Sequence, residues 1–267
     1  MQNKVEKLIW SGIPTSLNAC SWTLLSMQML KLEVDFIFVL LSGFVAWVFY
    51  TKDRLNFSPE DILNNKRRML WYQKFMKTPY KIIVVLSLFL LALRYQIIPL
   101  VLIGTLLTFI YNTPFKISKK VLKVKNLFLG KVIFVPLMWL LLTVYIPAFY
   151  YGFEIHKLVL IKISMYIFII IGIQIIINDI DDISGDEKEK VKTIPVLFGL
   201  KKTRVVIAFL VLSSLIIGWG LFPLINLMIY TILLFMISLS YGTSFSYVLK
   251  FLNISLGYVA SILIIDF

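Results

Sequence analysis

Residues 158–177 run for twenty positions with a single charge, Lys162, and lead directly into an acidic stretch containing Asp179, Asp182 and Asp186. About 20 apolar residues suffice to cross a bilayer as a helix, and inside lipid a lone segment must be helical to satisfy its own backbone. The three aspartates stand at i, i+3 and i+7, so a helix continuing through them would stack all three carboxylates on one face. Bare anions so placed repel each other, and a helix C-terminus is the wrong end for negative charge. Two readings follow. Either a hard divalent cation such as Mg²⁺ sits on these oxygen ligands, or the stretch is a solvated acidic loop that ends the helix.

The same apolar character extends over the chain. Of 267 residues 60% are hydrophobic and the mean hydropathy is +0.89, whereas a soluble domain is nearer half apolar. Apolar segments fall at about 8–29, 34–50, 80–94, 97–111, 127–149, 158–177, 205–221, 223–240 and 247–265. The expectation is an all-α integral membrane protein, a bundle of about nine transmembrane helices forming a single domain over residues 1–267. The first apolar run contains Ser, Thr, Asn and Pro and is read as a retained helix rather than a cleaved signal.

Net charge is +13, but its placement speaks against nucleic acid as partner. Of the 27 Lys and Arg, eight lie between 51 and 81, six between 116 and 131 and six between 188 and 204. Those loops share one side of a nine-helix topology. The positive-inside rule therefore places them, with the N-terminus, in the cytoplasm, and a prokaryotic cell membrane is the expected location. Nine of the 14 acids fall in 53–61 and 179–189, on that same side. The lone Cys20 excludes an internal disulfide, and the lone His156 falls in a predicted outer loop.

Within the first helix, helix packing accounts for most polar residues, while Asn18 is singled out as lining a cavity. Asp53 ends the second helix as Asp179 ends the sixth. Asp61 follows, where Ser58-Pro59-Glu60-Asp61 also reads as a helix start with Ser58 as cap. Residues 59–77 read as a basic amphipathic helix at the membrane surface, and Arg94 as an interfacial anchor. The lysines of 116–131 suit either a phosphate cradle or a topology signal. Lys131 differs from them, because it lies inside an apolar run where a charge needs a partner. Pro136 predicts a kink.

Asp179-Ile-Asp-Asp182-Ile-Ser-Gly-Asp186, followed by Lys192-Thr-Ile-Pro-Val-Leu-Phe-Gly199, resembles the second Asp-rich motif of the UbiA superfamily of intramembrane prenyltransferases. A position usually glycine in that family is Lys190 here. Aligned on Asn65-Lys-Arg-Arg68, the first Asp-rich motif is matched by Asp53 and Asp61, with Phe57 in place of a middle ligand. Tyr111-x-x-Pro and the lysines ending at Lys125-Asn126 resemble the family's basic segment. The resemblance implies a central cavity opening near the cytoplasmic side, with Mg²⁺ held by Asp53, Asp61, Asp179, Asp182 and Asp186. It implies Arg68, Lys123, Lys125 and Lys192 on a diphosphate, and Tyr111 and Asn126 beside Asn18 in the cavity. The implied partners are a prenyl diphosphate donor, an aromatic quinone-precursor or other lipid-type acceptor, and the bilayer, with no obligate protein partner.

Other readings stay open. A carboxylate-based cation transporter would carry its acids near the midplane on broken helices, whereas these cluster at helix ends. A CDP-alcohol phosphotransferase needs an Asp-Gly-x-x-Ala-Arg pattern that this chain lacks. Phe57 keeps a third reading, a UbiA-like protein that cyclises its isoprenoid or has lost transferase activity.

Overall fold

The computed structural model describes residues 2–55, 59–113, 115–117, 120–122, 124, 127–151, 157–219 and 221. The apolar segments expected at 223–240 and 247–265, and His156, lie outside the described residues. Eleven α-helices are described. They are α1 (Gln2–Trp10), α2 (Ile13–Met29), α3 (Phe36–Leu55), α4 (Pro59–Phe75), α5 (Lys77–Ala92), α6 (Ile98–Asn112), α7 (Gly130–Leu140), α8 (Ile146–Tyr151), α9 (Lys157–Asp181), α10 (Ile183–Lys188) and α11 (Ile194–Gly218).

Among the described residues, three segments are long and apolar enough to cross a membrane: α3, the run Gly130–Tyr151 that joins α7 to α8, and α9. A fourth arises if the pair Ile62–Phe75 and Lys77–Ala92, bent by 63°, counts as one span. Val85, Phe89, Leu102, Phe109, Val205, Phe209 and Ile216 stand outward. An apolar exterior of that extent belongs in lipid.

Several local expectations change in detail. The first apolar segment is split at Ser11-Gly12, where Gly12 adopts φ 77, a left-handed conformation that favours glycine. Trp47 Nε1 fixes the corner by donating to the Ser11 carbonyl at 2.8 Å. The basic loop is not wholly irregular: β1 (Phe115–Ile117) pairs antiparallel with β2 (Lys120–Leu122), so the described chain is helical with one small hairpin. Past Pro136, α7 widens into a π-helical turn at Leu141–Tyr145 instead of breaking.

The main core surrounds α9, which is apolar on all sides and therefore sits inside the bundle. Ile163, Ile167, Ile170, Ile173 and Ile176 are fully buried, against Trp22, Val144, Ile207 and Val211 from neighbouring helices. Lipid is as apolar as isoleucine, so close packing and polar cross-links, not the hydrophobic effect, choose this arrangement. Between α2 and α3, Thr23 Oγ1 donates to Ser42 Oγ at 2.8 Å, and Gly43 lies so near Cys20 that an added Cβ would overlap its sulfur.

Arg94 is more than an anchor. Its Nε and Nη2 both lie 2.7 Å from Asp35 Oδ2, which also accepts from the Tyr151 hydroxyl. Asp35 Oδ1 meanwhile caps α3 through Ile37 N at 2.8 Å. The loop before α3, the α5–α6 corner and the end of α8 thus share one carboxylate. Burial pushes Asp35 up, but hydrogen bonds from Arg94 and Tyr151 outweigh it and hold the carboxyl below its usual range. A carboxylate so held gives stability above its unfolded pKa and loses it as pH falls through the folded value. The substitution R94Q should therefore destabilise the detergent-solubilised protein by about 1–3 kcal/mol at neutral pH. In thermal melts, the gap from the parent protein should close below about pH 4.

Candidate active site

The site begins where α9 ends. Asn178 and Asp179 occupy its last turn, the helix stops at Asp181, and Asp182 (φ −101, ψ 4) turns the chain into α10. A single helix through all three aspartates is therefore not formed. The turn is tight instead: the Asp182 carbonyl accepts from Gly185 N at 3.2 Å and Asp186 N at 3.0 Å, which brings Asp186 back beneath Asp179. The turn closes at Lys190, whose φ is 58. This left-handed backbone favours glycine, and lysine adopts it at some strain.

From the other acidic region, Asn64 on α4 reaches α10, its Oδ1 accepting from Gly185 N at 2.7 Å. A Cβ at Gly185 would overlap the Asn64 side chain, so only glycine permits this contact. The helix kinks next to it at Asn65 (φ −158, ψ 78). There Asn65 Oδ1 accepts from Arg68 N at 2.9 Å and restarts the helix.

Lys131 enters from a third direction. Gly130 passes so near the Val124 carbonyl that a side chain would overlap it, and Leu129 (φ 61) precedes it as cap. That close turn brings the next residue onto α9. Lys131 Nζ lies 3.2 Å from Asp179 Oδ1 and 3.6 Å from Asp186 Oδ2.

These groups open on one cavity of about 450 Å³, within the usual range for small-molecule sites. Asp53, Arg54, Asn64, Tyr111, Lys131, Asn178, Asp179, Asp182 and Asp186 all line it, with Asn18 farther along. On α3, α6 and α9 the polar lining residues come at the C-terminal ends, and on α7 at the N-terminal end. The opposite direction along each helix is apolar: Val101 on α6, Val135 and Met138 on α7, Ile171 on α9, then Ile146 beyond. From Lys131 to Ile146 this lining extends about 20 Å along the helix axis. Tyr111 stacks on Phe134 between the two ends, ring centroids 4.8 Å apart.

Asp179 and Asp186 are 3% and 1% exposed, and the Oδ2 atom of each is buried without a hydrogen-bond partner among the described residues. Buried carboxylate oxygens with open lone pairs, beside Asp182 and Asn178, suit a hard divalent cation. Among the described residues, however, no three acidic, His or Cys side chains converge closely enough to hold an ion alone.

Of the residues expected from sequence, Asn18, Asp53, Tyr111, Asp179, Asp182 and Asp186 line the cavity. Arg68 and Lys192 stand outside its walls. Asp61 lies on α4, with its side chain outside the description, and Phe57, Lys123, Lys125 and Asn126 lie outside the described residues. Sequence reasoning missed Asn64 and Arg54. Arg54 Nη2 donates to the Tyr50 hydroxyl at 3.0 Å, while its buried Nη1 has no hydrogen-bond partner among the described residues. Its only sequence signal is adjacency to Asp53.

The profile of the UbiA prenyltransferase family matches residues 81–253, well over half of the chain. The chain belongs to this family. Its fold agrees with a UbiA homolog from Archaeoglobus fulgidus bound to GPP and Mg²⁺, at TM-score 0.57 and 15% identity over 98% of both chains. The same homolog bound to DMAPP and Mg²⁺ gives 0.54 at 15% identity, covering 96% of each. A structure described for digeranylgeranylglyceryl phosphate synthase gives 0.51 at 19%, covering 96% of this chain and 99% of that one. At such identities the likeness concerns the fold. No curated protein matches in sequence.

Burial raises the Asp186 carboxyl to about 6; Lys131 opposes the rise, while the charges of Asp179 and Asp182 add to it. An acid raised in the fold helps stability below its unfolded pKa and loses that help as pH rises through the folded value. In metal-free protein, D186N should thus melt higher than the parent at pH 7. The advantage should disappear toward pH 4.

Proposed function

We propose that this UbiA-family protein transfers an isoprenoid chain from a prenyl diphosphate to an aromatic or other lipid-type acceptor within the membrane, using Mg²⁺. One observation carries the reading: a single cavity joins a cluster of carboxylates and cations to an apolar tunnel. The relatives whose structures contain GPP or DMAPP with Mg²⁺ share the fold. Positive-inside charge assigns the acidic loops to the cytoplasmic face.

Asp179, Asp182 and Asp186, with Asp53 across the mouth and Asp61 on α4, would hold the metal. Bound there, Mg²⁺ supplies positive charge for an anionic leaving group. The chain's own cations complement it. Arg54 and Lys131 face the polar end, where the diphosphate is bound and where negative charge grows as the allylic carbon–oxygen bond breaks. The apolar walls hold the prenyl chain and exclude water, which would otherwise capture the allylic cation. Tyr111, Phe134 and Trp139 present aromatic rings near the junction of the two ends, suited to a developing cation. An acceptor in the same cavity then forms the new bond.

Phe57, in place of an expected acid, supports a second reading in which the bound isoprenoid is cyclised or left unreacted. Purified protein incubated with Mg²⁺, labelled prenyl diphosphates of several lengths and quinone-type, phenolic and glycerol-phosphate acceptors should release diphosphate and label one acceptor class. A cyclised product without acceptor would favour the second reading. Both D182A and D186A should reduce turnover a hundredfold or more, while the protein still inserts and melts cooperatively. Full turnover in both variants would sink the assignment.

A further inference from the structure

Lys131 lies within the membrane-crossing run Gly130–Tyr151, where a charge survives only with a partner. It has two. Its ammonium stands 3.2 Å from Asp179 and 3.6 Å from Asp186, and these are the two most deeply buried carboxylates of the site. Without it, two like charges would face each other away from water. With it, Asp179 Oδ2 has no hydrogen-bond partner among the described residues, and Asp186 Oδ2 has only the longer ion-pair contact.

We propose that Lys131 is a resident counter-cation for Asp179 and Asp186, one that a divalent metal must displace before that pair can ligate it. This rests on the reading of the two aspartates as metal ligands. The geometry leaves little choice. Mg²⁺ binds oxygen at about 2.0–2.1 Å, so it cannot share the space between these carboxylates with an ammonium already in contact with both. A doubly charged ion a few ångströms from a fixed ammonium is also strongly repelled. Lysine, on a flexible stem, can swing away.

The place it can swing to is the mouth of the cavity, where Asp53 and Asp182 lie and a diphosphate would sit. An anionic substrate offers the displaced ammonium a new partner. Metal and diphosphate therefore bind together and each weakly alone, and Lys131 acts as a positioning residue that couples them.

The test needs no turnover and no prenyl donor. Mn²⁺ binding to purified protein is measured by electron paramagnetic resonance, with and without inorganic diphosphate. K131Q should bind Mn²⁺ alone at least tenfold more tightly than the parent, and K131R should match the parent. Added diphosphate should tighten Mn²⁺ binding to the parent far more than to K131Q. Equal or weaker binding by folded K131Q would overturn the exchange while leaving the metal site standing. No Mn²⁺ binding by either protein, with or without diphosphate, would remove both.

Should K131Q not fold, the parent protein decides. Acylation of Lys131 by a small amine-reactive acylating reagent, read by mass spectrometry, should rise while saturating Mn²⁺ is present, because the displaced ammonium then leaves its two aspartates. With Mn²⁺ and diphosphate both present the rise should be smaller, because the displaced amine then contacts the diphosphate. Labelling that is unchanged or lower with metal alone would overturn the proposal.

Discussion

Charge balance at the end of α9 governs this molecule. Two carboxylates shut away from water would be untenable by themselves, and a lone ammonium in the adjacent membrane segment equally so. Put together they neutralise most of each other's charge, and in doing so they tie α7 to α9 and α10. The residual imbalance is informative. Asp186 remains raised in spite of Lys131, which means burial outweighs the pairing. Burial thus works against the charged form of Asp186 even with the ammonium beside it.

Around this centre the scaffold is simple. The long isoleucine-rich stretch of α9 fills the middle of the bundle, and α2 and α3 beside it pack through small residues and a hydroxyl cross-link. The two acidic regions lie more than a hundred residues apart in sequence, yet one amide side chain on one backbone N–H joins them. On the opposite side of the bundle, Asp35, Arg94 and Tyr151 make a second charged knot. Each end of the helical layer is thus fastened by polar contacts, where the packing between helices alone chooses little.

Much of this was legible in the sequence, because membrane helices announce themselves by length and composition. The runs at 34–50, 127–149 and 158–177 appear as α3, the Gly130–Tyr151 unit and α9. The need of Lys131 for a partner could be read directly, since an ammonium in an apolar run is an unsolved problem until something solves it. Which partner answered could not be read. That depended on the tight turn at Asp182, which periodicity extended as plain helix. Asn64 was invisible for another reason: one asparagine among Asn64-Asn65-Lys66 has no pattern to distinguish it, and its role exists only opposite a glycine more than a hundred positions away. Arg54 was hidden by the positive-inside signal, which accounts for every arginine of the basic loops equally well. The small hairpin of β1 and β2 left no mark in the sequence because its two strands are only three residues each, too short for alternation to show.

The dimensions of α6 have a further effect. Its fifteen residues rise only about 22 Å, against a hydrocarbon core of about 30 Å. Lipid beside so short a wall must thin or bend to meet it. Since α6 forms one side of the cavity, a leaflet thinned there would bring its acyl chains toward the level of Tyr111. For the proposed prenyl transfer, an apolar acceptor diffusing in the leaflet would then meet the polar end of the cavity sideways, without first passing through water.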